Sequence, residues 1–357
     1  MYKKAGILQL ILFIFIAVKL TGNTPKYSNE FLSVGIGARS LSMAKSTTAS
    51  VGEVTSVYWN PAGMASIQND VDIGAMHSEY FAGLSEYDFL GGVLKMDSNS
   101  AAGFSVIRFG VDEIQNTLNL VDDNGVIDYN RIKKFSVADW AFTFSYAQKS
   151  KIKGLQYGAN VKVIHRIIGE FASAWGFGID AGIQYFKGKW SLGVMGRDIT
   201  TTFNAWNFNE QKLKPAFDMT GNEMPDNALE ITMPKITAGI ARTIDISNYF
   251  SALVEADIDM YFDGKRHTLI KSDVASLDPH IGFEIGYKNY IFFRGGVGSF
   301  QEIQSHDKSY YAFEPNMGLG VKVHSLYINY ALTNIGSQSV GLYSNVFSLR
   351  YAFDFKK

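Results

Sequence analysis

The sequence predicts an all-β fold: a transmembrane antiparallel barrel of about 14 strands, preceded by a small N-terminal segment. Three observations carry this. From about Val71 to the C-terminus the chain alternates apolar with small or polar residues, segment after segment. These segments run about 9 to 14 residues, whereas ordinary strands centre on about five or six, and a tilted membrane strand needs about 9 to 11. The composition is strand-like, 14% aromatic with 34 Gly and only 7 Pro in 357 residues.

The first 20 residues read as a basic start, Lys3 and Lys4, followed by an apolar run from Gly6 to Val18 that Lys19 closes. The run is too short for a membrane-spanning helix and fits a secretory signal peptide over residues 1–22, cleaved near Thr21 to Asn23. Its removal takes away Lys3, Lys4 and Lys19 and no acid, which lowers the formal net charge from −1 to −4. No global basic surface advertises nucleic acid. The chain has no Cys, which excludes disulfides, thiolate metal sites and a cysteine nucleophile.

Residues 23–70 do not alternate. They are rich in Gly, Ala, Ser and Thr, a composition suited to short helices and turns, and they stand where a barrel of this width needs a hatch. Residues 71–357 form the barrel, with strands expected at about 71–80, 87–95, 99–109, 139–148, 155–167, 172–186, 190–200, 233–242, 249–262, 279–287, 290–299, 310–323, 325–334 and 345–355. The clearest segment sets Trp175, Phe177, Ile179, Ala181, Ile183 and Tyr185 against Gly176, Gly178, Asp180, Gly182 and Gln184. A soluble sandwich would bury that apolar face, and a membrane barrel turns it to lipid. Segment length and aromatic ends (Trp140 and Tyr146, Trp175 and Tyr185, Trp190) favour the membrane barrel. The links alternate between short (Asp97-Ser98, Lys187-Gly188-Lys189, Lys288-Asn289, His324) and long (about 110–138, 201–232 and 263–278), as periplasmic turns and external loops do. The last strand sets Phe347, Leu349, Tyr351, Phe353 and Phe355 on one face, and resembles the signal read by the barrel-assembly machinery.

Within the N-terminal segment, Phe31-Leu32, then Gly37-Ala38-Arg39-Ser40 and Met43, then Tyr58-Trp59-Asn60-Pro61-Ala62-Gly63-Met64 resemble the signature of the PorV/PorQ family. That family is itself similar to the FadL-type fatty-acid channels, which carry a related Asn-Pro-Ala motif in their hatch. The resemblance implies an outer-membrane protein of a didermic bacterium with a hatch motif at Arg39, Trp59, Asn60, Pro61, Ala62 and Gly63. It implies an accessory role in type IX protein secretion, with the translocon or secreted cargo bound at the external mouth. The alternative is a FadL-like transporter, in which a hydrophobic ligand enters the lumen and leaves sideways through the wall. A strand kink against the hatch would favour that alternative, and Gly295-Gly296 is the candidate.

The alternation turns Asp180, Arg197, Glu255, Asp257, Asp259, Glu284, Arg294, Arg350 and Asp354 to the lumen. They line a polar path, grip the hatch, or satisfy one another, since unpaired charges in a confined space are costly. The ladder Glu255, Asp257, Asp259 is expected to face lumenal Arg and Lys. The 201–232 loop carries Phe203, Trp206 and Phe208, expected either as a partner surface or as packing on the 110–138 loop. The stretch Asp122 to Asp128 fails as a calcium loop, because Leu120 and Arg131 occupy the positions of essential acids, and a turn at Asn124-Gly125 is expected instead. No His pair has metal spacing, no nucleophile elbow occurs, and Gly35 to Ser40 lacks the third glycine of a dinucleotide fingerprint. A non-enzymatic protein without metal or cofactor is expected, embedded in outer-membrane lipid.

Overall fold

The computed structural model describes residues 28–355, apart from 81–82, 119, 122–124, 225–227, 306–307 and 335–342. The expected signal peptide at 1–22 and Asn124 of the expected turn lie outside the described residues. Sixteen strand segments are described: β1 (Val71–Tyr80), β2 (Ser85–Lys95), β3 (Ser100–Asn116), β4 (Lys133–Lys149), β5 (Leu155–Ile168), β6 (Ala172–Lys187), β7 (Trp190–Arg197), β8 (Thr202–Phe208), β9 (Leu229–Thr232), β10 (Lys235–Asp245), β11 (Phe250–Tyr261), β12 (Ser276–Tyr287), β13 (Ile291–Ser305), β14 (Lys308–Val323), β15 (Leu326–Thr333) and β16 (Ser344–Phe353).

They form one closed antiparallel ring of 14 strands. Counting β7 with β8 and β9 with β10 as one strand each, neighbours in chain order pair around the ring, and β1 closes on β16 from Val71↔Phe353 to Glu79↔Asn345. Two of the 14 are broken in the middle. β7 pairs with the lower half of β6 (Ala181–Lys187), and β8 takes the upper half (Ala172–Phe177). Their partners across the ladder, β10 and β9, are separated by Met233-Pro234. The break at Asp198–Thr201 turns through two left-handed residues, Asp198 (φ 53°) and Thr201 (φ 60°).

Residues 201–232 are therefore a correction to the sequence reading. This is not a loop but the upper wall, a hairpin of β8 and β9 capped by a helix at Glu210–Thr220. The expected long link at 110–138 is shorter than read, since β3 runs on to Asn116 and β4 begins at Lys133.

The wall is apolar outside. Phe144, Val161, Phe177, Val194, Ile281, Phe293, Leu319 and Leu349 are all exposed while their sequence neighbours point inward. Tyr146, Tyr157, Trp190, Tyr249, Tyr287 and Tyr290 ring the end that carries the short turns, and Trp175, Tyr311, Phe313 and Tyr343 stand toward the other, here called the loop end. An apolar band between aromatic girdles is the surface a membrane barrel turns to lipid. Among the described residues no helix is long and apolar enough to cross a membrane.

The N-terminal segment fills the lumen. Two short helices (Ala38–Ser42 and Ser56–Trp59) and two 3₁₀ turns (Glu30–Ser33 and Pro61–Ser66) carry most of its structure. Ile36, Met43, Val51, Val57 and Met64 are fully buried, so the core of this molecule lies inside the ring. The chain runs from the loop end, where Ser28 meets Glu230 on β9, to the turn end, where Asp70 leads into β1.

Candidate functional site

Asn60 organises the lower half of the lumen segment. Its Oδ1 accepts from the Ala62 N–H at 3.2 Å, capping the turn that Pro61 opens with its fixed φ. Its Nδ2 donates to the carbonyls of Thr48 (2.9 Å) and Ile183 on β6 (3.2 Å). The wall makes room with glycine: a Cβ at Gly182 would lie 2.0 Å from Asn60 Oδ1, and one at Gly158 2.6 Å from the Pro61 carbonyl carbon. Ala62 is fully buried, and Gly63 sits where a Cβ would meet the Val51 carbonyl oxygen at 2.3 Å. Trp59 donates from its indole to the Ile36 carbonyl at 2.9 Å.

The inward charges hold this segment. Glu284 on β12 lies between Arg39 (3.0 Å) and Arg294 on β13 (2.6 Å), and Arg294 also donates to Asn329 at 2.8 Å. Glu255 accepts the Ala49 N–H at 2.6 Å, and Asp257 accepts those of Thr47 (3.2 Å) and Thr48 (3.0 Å). The ladder therefore differs from expectation: only Asp259 faces a cation, Lys235 at 2.7 Å, while the other two bind main-chain amides of the lumen segment. Asp180 pairs with Lys162 at 2.8 Å, and Arg350 with Asp72 at 2.7 Å and Glu53 at 3.7 Å. Arg197 donates to the Tyr58 carbonyl at 3.0 Å, its guanidinium 4.0 Å above the Tyr58 ring.

Asp354 is a correction. β16 ends at Phe353, so the alternation does not reach it; it is exposed and accepts from Asn69 (3.1 Å) and the Asp70 N–H (2.9 Å). The surface expected at Phe203, Trp206 and Phe208 is a second correction. On a strand, positions three apart face opposite ways. Phe203 points outward, 43% exposed, whereas Trp206 points inward, 8% exposed, beneath the Arg166 guanidinium and stacked on Phe208. On β16, Phe347, Leu349 and Tyr351 face outward; Phe353 ends the strand half-buried and Phe355 lies beyond it, exposed.

The alternation did not single out Asn160, Lys162 or Gln184, although all three sit on inward positions of recognised strands. Asn160 donates to the Val57 carbonyl at 2.9 Å, and Gln184 to those of Thr48 (3.1 Å) and Val51 (3.0 Å). Glu53 and Lys45, inside the non-alternating segment, gave no periodic signal at all.

Two cavities open above the pinned segment at the loop end. One, of about 420 Å³, has Phe31, Val34, Leu41, Tyr80 and Phe109 in its lining. The other, of about 90 Å³, is polar, lined by Lys45, Lys162, Arg197, Lys235, Asp259 and His280 among others. Lys45 borders both; its Nζ donates to the Ser33 carbonyl at 2.9 Å. Desolvation, and behind it the Lys235 ammonium, lowers the Lys45 pKa from the ordinary lysine value.

The wall beside the larger cavity is split. β12 and β13 pair only from Ile281↔Val297 to Tyr287↔Ile291, that is, over the turn-end half. Above this, β13 bulges between Gly298 and Gln301, with Ser299 left-handed at φ 52°. The free edge of β12 is met at Leu277 by Ile270, which exchanges two main-chain bonds with it, and Lys271 reaches Glu302 at 3.3 Å. Asp278–His280 and Gly298–Phe300 thus face each other without ladder pairing, and Pro279 has no N–H to offer.

Outside the split lies an apolar depression lined by Ile281, Phe283, Phe293, Gly295, Val297 and Met317. Inside, the lumen segment covers it: a Cβ on Gly282 or on Gly296 would come within 2.4 Å of the Met43 backbone. The Gly295-Gly296 pair named from the sequence therefore has one member on each face. The covering turn is strained, because Ala44 (φ 51°) and Lys45 (φ 69°) are consecutive left-handed residues, at about 1 kcal/mol or more each.

No family model and no curated protein matches this sequence. Solved structures do. The CymD monoaromatic hydrocarbon channel is 13% identical, with 90% of this chain and 98% of that one covered at a TM-score of 0.56. The Pseudomonas putida toluene transporter TodX is 13% identical, with 90% and 98% covered at 0.54. A FadL homologue from Pseudomonas aeruginosa is 12% identical, with 90% and 98% covered at 0.50. The fold of this chain is that of the FadL-type 14-stranded outer-membrane barrels.

Proposed function

We propose that this chain is a non-enzymatic channel of the Gram-negative outer membrane that admits small hydrophobic molecules. It is delivered there by a cleaved signal peptide and inserted through its aromatic final strand. The observation that carries the reading is the cavity of about 420 Å³ at the loop end, with Phe31, Val34, Leu41, Tyr80 and Phe109 in its lining, closed from below by a charge-pinned segment. The lining also holds Glu30, Lys45, Glu314 and Asn316, and pockets of a few hundred Å³ that combine apolar side chains with a limited set of polar groups suit small ligands. Transfer of a toluene-sized molecule from water to such a wall is favourable by about 25 cal/mol per Å² of apolar surface removed from water. The similarly folded CymD and TodX are a monoaromatic hydrocarbon channel and a toluene transporter, which supports the same ligand class here.

The secretion role expected from the hatch motif is the weaker reading. The surface expected to receive a partner, Phe203 with Trp206 and Phe208, is divided between the two faces of β8. The hatch motif itself is spent on pinning the lumen segment.

Soaking crystals with bromobenzene tests the ligand site. An anomalous bromine peak between Phe31 and Phe109 is expected, and an ordered barrel with no bromine in the lumen would overturn the reading.

A further inference from the structure

We infer that Lys187 of β6, Trp190 of β7 and Arg242 of β10 form a binding site for an anionic phospholipid of the periplasmic leaflet, its phosphate held between the two cations over the indole. The inference uses only the barrel's place in a membrane and is independent of what the lumen admits.

Charge is spread unevenly over this molecule. At the loop end cations meet acids: Arg108 lies 2.7 Å from Asp112, Arg166 2.8 Å from Asp139 and Lys212 2.8 Å from Glu170. The turn end is the one such a barrel keeps in the periplasm. There Lys95, Lys149, Lys151, Lys153, Lys288 and Lys322 have no carboxylate within 4.0 Å among the described residues. The acids of that end are committed elsewhere. Asp97 accepts the N–H groups of Asn99 and Ser100, Asp70 accepts that of Phe355, and Asp354 accepts that of Asp70. Asp245 pairs with Lys189 at 2.6 Å. The surface beside the periplasmic leaflet therefore carries a positive field, which anionic headgroups meet favourably.

Within that field one place fits a single lipid. Lys187 and Arg242 both stand opposite Trp190 in the register of the sheet, one on each side. All three are exposed on the outward face, and the Arg242 guanidinium lies 5.0 Å from the centre of the Trp190 ring. Neither cation has a carboxylate partner among the described residues. Two strand spacings, about 10 Å, separate the flanking backbones, and two long side chains can close that gap onto one phosphate. Lys153 stands in the adjoining turn, where the Phe186 N–H donates to the Gly154 carbonyl at 2.8 Å. Arg offers a phosphate a planar fork of donors, Lys a mobile point charge, and an indole suits headgroup depth.

One step toward the loop end the same face turns apolar. Tyr185, Leu192 and Ile240 stand side by side, and beyond them Ile183, Val194 and Ala238. Leu192, Val194, Ile183 and Ile240 are exposed. A ligand for this place carries a negative head and a long apolar tail, in that order from the periplasm inward. A free phosphate would leave the apolar strip uncovered, and a neutral lipid would leave the cations unpaired. An anionic phospholipid answers both.

Native mass spectrometry of the purified barrel, mixed with equal amounts of dioleoyl phosphatidylglycerol and dioleoyl phosphatidylcholine, reads the preference. The parent protein is expected to retain phosphatidylglycerol at least fivefold over phosphatidylcholine. Lys187→Gln/Arg242→Gln is expected to bring the two lipids within about twofold of each other. Lys95→Gln/Lys322→Gln removes the same charge from the same end and is expected to keep the preference. Lys187→Arg/Arg242→Lys retains both charges and is expected to keep it too, with assembly of every variant checked by heat-modifiable gel mobility. Four results would each overturn the site: no preference in the parent protein, a preference that survives Lys187→Gln/Arg242→Gln, an equal loss in Lys95→Gln/Lys322→Gln, or a loss in the charge-retaining swap.

Discussion

Arg39 of the lumen segment and Glu284 of β12 lie 3.0 Å apart although 245 positions separate them in the chain, and Arg294 approaches the same carboxylate to 2.6 Å. One acid thus neutralises a charge on the segment and a charge on the wall. Glu284→Ala leaves two guanidiniums facing each other, one of them almost wholly buried. The loss is expected to be about 3 kcal/mol. Urea unfolding of the refolded barrel measures it, and trypsin is expected to cut at Arg39 at a denaturant concentration that spares the parent protein. An unchanged midpoint and unchanged cleavage would contradict the pairing.

Asn60→Ala removes the cap on Ala62 and the ties to Thr48 and Ile183 together. A capping loss is about 1 kcal/mol, and each buried group left without a partner adds about as much again. Hydrogen exchange at the Ala62 amide should accelerate at least tenfold while exchange in β11 and β12 stays slow. Protection unchanged at Ala62 would show that the motif pins nothing.

Phe203→Ser and Trp206→Ser distinguish the wall from a loop. Trp206 is buried under Arg166, so its replacement is expected to cost about 3–5 kcal/mol. Phe203 faces outward, and its loss should cost clearly less. Equal and small effects in thermal unfolding would restore the loop picture.

Phe109→Arg places a cation in the wall of the apolar cavity. Toluene uptake is expected to fall several-fold with barrel assembly intact, as judged by heat-modifiable gel mobility. Undiminished uptake would move the ligand path away from this cavity.

How much of this was legible in the sequence follows from where period two is clean. Over residues 174–185 of β6 and 254–260 of β11 every inward residue is small or polar and every outward one apolar, because the first meet the lumen segment and the second meet lipid. The period fails in β8, where Phe203 and Ala205 face outward but Trp206 and Phe208 face inward beside Asn204, so neither face is apolar. The interruptions at Asp198–Thr201 and at Met233-Pro234 also shift the phase, and the hairpin read as a loop. The inward charges were visible as a set, but their partners were not. Glu255 and Asp257 grip main-chain amides, which leave no trace in composition, and Glu53 and Lys45 lie in a segment without periodicity. The split wall had one trace, Gly295-Gly296, but its cause lies in a ladder that stops at Ile281↔Val297.

The central claim is tested most directly by the initial uptake rate of radiolabelled toluene, at a concentration where its crossing of the outer membrane limits the rate. Cells carrying the parent protein, the Phe109→Arg variant or an empty vector are compared. The account predicts uptake several-fold above vector for the parent protein and near vector for Phe109→Arg. Equal rates in all three would contradict it.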